Sequence, residues 1–325
     1  MISVILSVPK IYKGSSTIRE DSPWTVFQGT GAPNGGMVQC TATIISPRHI
    51  ITASHCVAVM KPNGTGFEKI LMDGTDIEQK DCDGDDYYIN DTSIAEKIVF
   101  YGGINVTVGQ DKPIGKAKSL RLLGACKTYE SNRKIVDLTL IELAEALTFG
   151  PDINMACVSN SMSDVAPFLS LNFYGYGSNP REDSNQNSLR IATFLYEESQ
   201  VLQPQFVFRR PQETLKFDKE TFLARSVLNK TVACEGDSGG GAIRRIRDQN
   251  TVVAVISHTT CSVLSLRTKY AGEIYVPVSL YNDQICNHTG ICSPPPTTIM
   301  IWGHANAISH FFVFFAIFVG FLCDF

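Results

Sequence analysis

The residues around Ser238 raise the question of whether this chain carries a nucleophilic hydroxyl. Ser238 lies in CEGDSGGG, between an aspartate and three glycines. A serine hydroxyl is a weak nucleophile at neutral pH, so catalysis needs a base within hydrogen-bonding reach and a third group that orients the base. The alternative is a flexible turn, because glycine and small polar residues are common where the backbone adopts unusual angles. The rest of the sequence must supply the partners.

A candidate base and a candidate orienting group occur earlier in the chain. His55 lies in TASHC, directly after the apolar segment HIITA and beside Cys56. Asp137 opens the apolar segment DLTLIEL. A carboxylate in such a segment is costly to bury unless a partner accepts its charge, and an imidazole N–H can be that partner. Together with Ser238, these residues predict a His–Asp–Ser triad.

The three motifs TASHC, DLTLIEL and CEGDSGGG resemble those of the trypsin and chymotrypsin-like serine peptidases, and they occur in the same chain order. The resemblance implies that Ser238 attacks a peptide carbonyl, His55 transfers the proton and Asp137 fixes the imidazole tautomer. It also implies an oxyanion hole formed by the N–H groups of Gly236 and Ser238. Such an enzyme uses no metal or other cofactor, and its partners are protein or peptide substrates and inhibitors.

The start of the chain resembles an activation site of the same family. The segment IYKG begins at Ile11, and the dipeptide Pro-Trp begins at Pro23. The distance between them is similar to the distance from the mature N-terminus to a Pro-Trp strand in the family. The resemblance implies that an activating protease cleaves after Lys10 and that the freed α-amino group of Ile11 pairs with Asp237. Cleavage would thereby order the site, because a buried carboxylate needs a partner.

Short apolar and β-branched runs such as CTATIIS, VVAVIS and EIYVPVSLY alternate with turn-rich stretches, which predicts an all-β sandwich or barrel. The resemblance narrows this to two six-stranded antiparallel Greek-key β-barrels with the active site in the cleft between them. We expect a peptidase domain over residues 11–292, after a leader or activation remnant at 1–10. Within it, residues 61–98 are interpreted as a surface loop insertion. Its acidic DCDGDD lacks the ligand spacing of an EF-hand and is interpreted as solvated.

The residues of the primary specificity pocket depart from the family pattern. Val232 stands six residues before Ser238, where trypsin-like members carry an aspartate. Ser257 matches the family on the pocket wall, whereas Thr259 replaces a smaller residue and is expected to narrow the entrance. Glu273 either projects into the pocket or, as we favour, is a solvent-facing strand end. We therefore predict a small or apolar residue before the scissile bond.

Ten cysteines without CxxC pairs predict disulfides and an oxidising compartment. The family resemblance implies the pairs Cys40–Cys56 and Cys234–Cys261. Further predicted pairs are Cys82 with Cys126, and Cys157 with Cys286 or Cys292. Five glycosylation sequons also favour an extracellular protein, secreted or anchored at the cell surface. They are Asn63, Asn90, Asn105, Asn229 and Asn287.

The composition restricts the remaining function classes. A chain of 325 residues with 44% hydrophobic and 18% charged residues is globular, and its net charge of −4 without basic runs excludes nucleic acid as a partner. A Pro-rich spacer and an apolar tail occupy residues 293–325. The apolar run at 311–323 is shorter than the ~20 residues of a membrane-spanning helix. It fits a GPI-attachment signal or a short membrane anchor, with an artefactual or buried terminus as the remaining alternative.

Two other functions compete with that of an active peptidase. A non-catalytic homologue would keep the fold as a binding or regulatory module, but the presence of all three triad residues favours catalysis. An esterase of the α/β-hydrolase type is excluded, because GDSGG is not G-x-S-x-G and the chain order of the triad differs.

Overall fold

Strands account for most of the regular structure. The computed structural model describes residues 11, 14–61, 66–126, 136–177, 187–197, 221–226, 231–259, 261 and 273–292. In the first half of the chain the strands are β1 Ser15–Ser16, β2 Thr25–Gly31, β3 Met37–Ser46, β4 His49–Thr52, β5 Ala58–Met60, β6 Phe67–Ile70, β7 Cys82–Asp83, β8 Asp86–Ile89, β9 Ile98–Tyr101, β10 Asn105–Val106, β11 Gly115–Leu122 and β12 Thr139–Leu143.

In the second half the strands are β13 Cys157–Val158, β14 Ser170–Gly175, β15 Asn187–Ser188, β16 Arg190–Glu197, β17 Phe222–Ser226, β18 Gly241–Ile246, β19 Gln249–Thr259 and β20 Glu273–Pro277. The α-helices are α1 Thr92–Ala95 and α2 Asn282–Thr289. Short 3-10 turns cover Arg19–Asp21, Ser54–Cys56, Gln79–Asp81, Met162–Val165 and Val278–Tyr281.

The first barrel contains six antiparallel strands in the order β2, β3, β4, β12, β11 and β9, and β9 pairs back onto β2 to close it. Its interior is filled by alternate residues of these strands, among them Val26, Ile44, Ile50, Phe100 and Ile141. Because successive side chains of a strand point to opposite faces, each strand contributes every second residue to this core. Closure leaves no free edge among these six strands.

The second barrel is built in the same way from β14, β18, β19, β20, β17 and β16, and β16 pairs with β14 to complete it. Aromatic rings fill much of its interior: the ring of Phe173 lies 6.3 Å from Phe194 and 6.4 Å from Tyr275. The predicted all-β fold of two six-stranded antiparallel barrels is therefore confirmed.

A third apolar cluster joins the two barrels. Trp24 of the first half packs edge-on against Tyr174 of β14, with ring centroids 6.0 Å apart. Phe27 of β2 packs in the same way against Tyr176, at 5.9 Å. The guanidinium of Arg19 is buried beside this contact and donates to the carbonyl of Pro23 at 3.0 Å. The barrels therefore meet across a packed apolar interface, which fixes the positions of the residues at its edge.

The segment 61–98 is not the loop that the sequence predicts. Its described residues include β6, which pairs with β5, and β8, which pairs with β11 of the first barrel. Phe67, Ile70, Tyr87 and Ile89 of these strands are buried in the core of that barrel. The prediction is wrong because Gly- and Asp-rich turns dominate the composition of this segment. The strands between those turns are short, and each needs only a few apolar residues to become buried once it pairs with a neighbouring strand.

Four disulfides lie between described residues. They join Cys40 to Cys56, Cys82 to Cys126, Cys234 to Cys261, and Cys286 to Cys292. The first three pairs are those proposed from the sequence, but the prediction that Cys157 pairs with Cys286 or Cys292 is wrong. Helix α2 ends at Thr289, and the next residue, Gly290, has a φ of 73°, the left-handed conformation that glycine adopts readily. The chain reverses there and brings the Cα atoms of Cys286 and Cys292 to 4.4 Å.

Several sequence-based predictions concern residues outside the described ranges: Lys10, the sequons at Asn63 and Asn229, and the tail at 293–325. The other three sequon asparagines, Asn90, Asn105 and Asn287, are exposed, as glycosylation requires. Among the described residues, no helix has the length and apolar composition needed to cross a membrane.

Candidate active site

His55 and Asp137 lie together at the edge of the first barrel. Strand β4 ends at Thr52, and the 3-10 turn Ser54–Cys56 directly after it presents the imidazole of His55. Asp137 stands two residues before β12, the strand that pairs with β4. The Asp137 carboxylate accepts two hydrogen bonds from His55, one from the backbone N–H at 2.9 Å and one from Nδ1 at 2.8 Å. This fixes the ring with Nδ1 toward Asp137 and Nε2 on its other side.

The electrostatics of this pair follow from burial and charge. The Asp137 side chain is 3% exposed and that of His55 is 25% exposed. Burial alone would raise the pKa of Asp137, but the charge and hydrogen bond of His55 lower that pKa to about 2. Burial lowers the pKa of His55, yet the charge and hydrogen bond of Asp137 raise that pKa above its usual 6.5. The carboxylate is therefore ionised at neutral pH and favours the protonated imidazole.

Two residues of β19 extend this pair. The hydroxyl of the buried Ser257 donates to Asp137 Oδ2 at 2.5 Å. Ser257 Oγ also lies 2.7 Å from Nδ1 of His258, whose ring centroid is 5.7 Å from that of His55. Sequence reasoning had assigned Ser257 to the pocket wall and given His258 no role. The signal for both is the dipeptide Ser-His in SHTTC, which the strand brings to the Asp137 carboxylate.

The turn that carries Ser238 packs tightly against the strands leading to His55. The N–H of Thr41 donates to the Ser238 carbonyl at 2.9 Å, and Sγ of Cys56 lies 3.6 Å from the same oxygen. Gly239 has a φ of 83°, and a Cβ there would lie 2.2 Å from Thr52 Oγ1. Only glycine permits this approach, so the glycines after Ser238 are required by the contact between the barrels. The structure thereby places Ser238 beside the turn of His55.

Two backbone N–H groups in this turn point to no acceptor within the described residues. They belong to Gly236 and Ser238, the residues expected to form an oxyanion hole. The Gly236 carbonyl, by contrast, accepts from Thr41 Oγ1 at 2.8 Å, which fixes the peptide plane. Unpaired N–H groups are rare in a packed region and are suited to receive an anionic oxygen.

Asp237, the residue between Gly236 and Ser238 in this turn, is fully buried. Its carboxylate accepts from the N–H of Cys234 and of Gly177, each at 2.8 Å. Burial raises the pKa of Asp237 to about 7, although these hydrogen bonds oppose the shift. Ile11 is also fully buried, in the apolar cluster of the second barrel. Asp237 is thus a buried acid without a cationic partner among the described residues.

The candidate pocket residues meet at Ala233. Val232 is buried, and Oγ1 of Thr259 donates to the Ala233 carbonyl. Glu273 is fully buried and accepts from the Ala233 N–H at 3.0 Å, so its interpretation as a solvent-facing strand end is wrong. The register of β20 against β17 and β19 turns the side chain inward. Burial, with the nearby charge of Asp237, raises the pKa of Glu273 well above its usual range, which favours an uncharged pocket.

One group of potential metal ligands lies in the described part of the chain, at Cys40, His55 and Cys56. The two cysteines are bonded to each other in a disulfide, so neither offers the thiolate that a metal requires. This group therefore gives no reason to assign a metal to the site.

Two closed antiparallel barrels with a His–Asp pair and a serine-bearing turn at their junction define the chymotrypsin-like class of fold. The solved structure of a scabies mite inactivated protease paralogue, S-I1, has this fold with a TM-score of 0.59 and 18% identity, over 85% of this chain and 98% of that one. At this identity the likeness concerns the fold alone.

The chain belongs to the Nematode trypsin-6-like family, whose profile matches residues 6–292. Curated relatives include CLIP domain-containing serine protease B4 of Anopheles gambiae, 24% identical over 76% of this chain, and human transmembrane protease serine 11A, 22% identical over 89%. The chain spans 62% of the mosquito protein and 57% of the human one. It is thus a divergent member of the trypsin-like serine peptidases.

Proposed function

We propose that this protein is an extracellular serine endopeptidase that hydrolyses peptide bonds through an acyl-enzyme intermediate. The observation that carries the proposal is the Asp137 carboxylate, which accepts hydrogen bonds from both N–H groups of His55 and is ionised at neutral pH. A carboxylate held in this way orients the imidazole and stabilises the imidazolium that forms when the ring accepts a proton during a reaction. The disulfides between described residues support the extracellular location.

In the proposed reaction, His55 Nε2 takes the proton of Ser238 Oγ while the oxygen attacks the peptide carbonyl carbon. The tetrahedral oxyanion accepts hydrogen bonds from the N–H groups of Gly236 and Ser238. His55 then gives the proton to the leaving amine, the C–N bond breaks, and an acyl ester on Ser238 remains. A water molecule, deprotonated by His55, cleaves the ester and restores the serine.

We propose further that cleavage after Lys10 activates the protein. Asp237 occupies a fully buried position with two N–H donors and, among the described residues, no cation. An ammonium group is the partner that such a carboxylate needs, and the α-amino group of Ile11 becomes one only after cleavage. Ile11 is already buried in the core of the second barrel.

The direct test is labelling of Ser238 by a fluorophosphonate probe. We expect strong labelling of the peptidase domain after verified cleavage following Lys10, and weak labelling of the uncleaved chain. Peptide mapping should locate the label on Ser238, and the Ser238→Ala variant should remain unlabelled. If the cleaved protein, shown to be folded, also stays unlabelled, the proposal is wrong and a non-catalytic homologue is the better description.

Activation should also change how stability depends on pH. With a folded-state pKa of about 7, against 3.8 in the unfolded chain, Asp237 favours folding at acid pH, and this contribution is lost as the pH rises through 7. Between about pH 5 and about pH 8 the uncleaved chain should lose on the order of 3 kcal/mol from this group. In the cleaved form, the ammonium group of Ile11 would stabilise the ionised Asp237 and so remove this loss of stability. Denaturant unfolding of both forms, in a Ser238→Ala background, measures the difference.

The comparison between forms reports Asp237 together with the buried acid Glu273, because the charge of Asp237 contributes to the raised pKa of Glu273. Parallel pH profiles for the cleaved and uncleaved forms would contradict the pairing of Ile11 with Asp237.

A further inference from the structure

The hydrogen bonds around Ser257 determine where its proton lies. Ser257 Oγ is within hydrogen-bonding distance of two groups, Asp137 Oδ2 at 2.5 Å and His258 Nδ1 at 2.7 Å. A serine hydroxyl has one proton to donate and two lone pairs to accept with. It can therefore donate to only one of these two neighbours.

Asp137 takes that proton. Its carboxylate is ionised at neutral pH and can only accept, so the short contact to Ser257 requires the serine to be the donor. The second contact then has to be a hydrogen bond accepted by Ser257 Oγ. The proton in this bond must come from His258, which places a hydrogen on Nδ1 of that ring.

The result is a series of donors that converge on one carboxylate. His258 Nδ1–H donates to Ser257, Ser257 donates to Asp137 Oδ2, and His55 Nδ1–H donates to the same oxygen. Without the His258 donor, the Ser257 hydroxyl would still donate to Asp137, but its lone pairs would lose the hydrogen bond that helps to fix the direction of this donation. Serial hydrogen bonds also polarise and strengthen one another.

We propose that His258 is a positioning residue of the catalytic site: as its Nδ1–H tautomer it directs the Ser257 hydroxyl onto Asp137 and thereby helps to hold the carboxylate that orients His55. This inference deepens the proposed peptidase function and rests on it for its catalytic consequence. The tautomer and the hydrogen-bond series do not depend on turnover, so they can be tested even if the protein proves inactive.

Three variants separate the donor from the ring. His258→Asn keeps an N–H near the position of Nδ1, His258→Phe keeps a planar ring without a donor, and Ser257→Ala removes the hydroxyl that both residues share. His49→Phe is the matched control, because His49 Nδ1 makes the same type of bond to Ser46 Oγ, at 2.8 Å, away from the site.

The first measurement is by NMR on the Ser238→Ala protein, labelled with ¹⁵N at the histidine rings. At about pH 8 the Nδ1 of His258 should be of the protonated type, and the downfield proton between His55 and Asp137 should shift in His258→Phe and in Ser257→Ala. The same proton should stay close to its original position in His258→Asn and in His49→Phe. An unprotonated Nδ1 in His258, or an unchanged His55 proton in His258→Phe, would overturn the inference.

The second measurement is kinetic, on the cleaved protein with a peptide ester or amide. His258→Phe should lower kcat by about 3- to 10-fold, the loss of one neutral hydrogen bond, and His258→Asn should recover most of it. If both variants lose the same activity, ring packing rather than donation is responsible and the inference fails. If no form turns over substrate while the NMR result holds, the proposed function is wrong and the positioning role has no catalytic consequence.

Discussion

Replacement of Ser238 by alanine is expected to lower kcat of the cleaved protein by about 10⁶-fold. The variant keeps the turn, since Thr41 bonds the backbone carbonyl of residue 238 and Gly239 makes the close contact to Thr52. It removes only the hydroxyl that forms the acyl ester. Steady-state kinetics on a peptide ester, at equal concentrations of folded protein, measure the loss.

Substrate binding should survive this replacement, because the N–H groups of Gly236 and Ser238 stay in place. KM should change by no more than about 3-fold, and so should the Kd of a substrate-like peptide that carries no group able to react with the serine. Ser163→Ala is a suitable control, since Ser163 is exposed and its hydroxyl, among the described residues, bonds only that of Ser161. Turnover in Ser238→Ala equal to that of the control would refute Ser238 as the nucleophile.

The second large effect is expected for Asp137→Asn, which should lower kcat at neutral pH by about 10⁴-fold. Asp137 accepts three hydrogen bonds: two from His55 and one from Ser257. An asparagine has one acceptor oxygen and one donor group, so it cannot accept all three. Its amide N–H would either face the Nδ1–H of His55 or force His55 into the tautomer whose proton is on Nε2. In that tautomer Nε2 cannot take the proton of Ser238.

The same variant gives a pH signature that separates misorientation from misfolding. The wild-type acid limb of kcat/KM reports the pKa of His55, which the charge of Asp137 raises above 6.5. Without that charge the acid limb should move to lower pH. Asp248→Asn is the control and should leave the acid limb in place, because Asp248 is an exposed aspartate on a surface turn whose ion pair is with the likewise exposed Arg245. An unshifted limb in Asp137→Asn would contradict the assignment of His55 as the base.

Local sequence patterns predicted much of this molecule because they report local physical requirements. The apolar and β-branched runs around Ile44, Ile51 and Val255 encode strands that are buried along most of their length, and the glycines after Ser238 encode a close backbone approach. The motifs around His55, Asp137 and Ser238 indicated the family, and its profile over most of the chain agrees.

Such patterns do not predict which residues far apart in the sequence lie close together in the fold. The strands of segment 61–98 were missed because their few apolar residues become informative only when β11 provides a partner. Burial of Glu273 depends on neighbours from two other strands, and the reversal at Gly290 decides the pairing of Cys286. In each case the energetic benefit comes from a contact that forms only when the barrel closes.

The sequence therefore determined the family and predicted the class of chemistry, since a serine, a histidine and an aspartate in these motifs fit few other reactions. The tertiary structure determined how those groups are held. Ser257 and His258 are 120 and 121 positions from Asp137 along the chain, yet Ser257 bonds Asp137 Oδ2 and His258 bonds Ser257. That contact exists because closed barrels pack on each other through an apolar interface, and no local pattern encodes which residues meet at its edge.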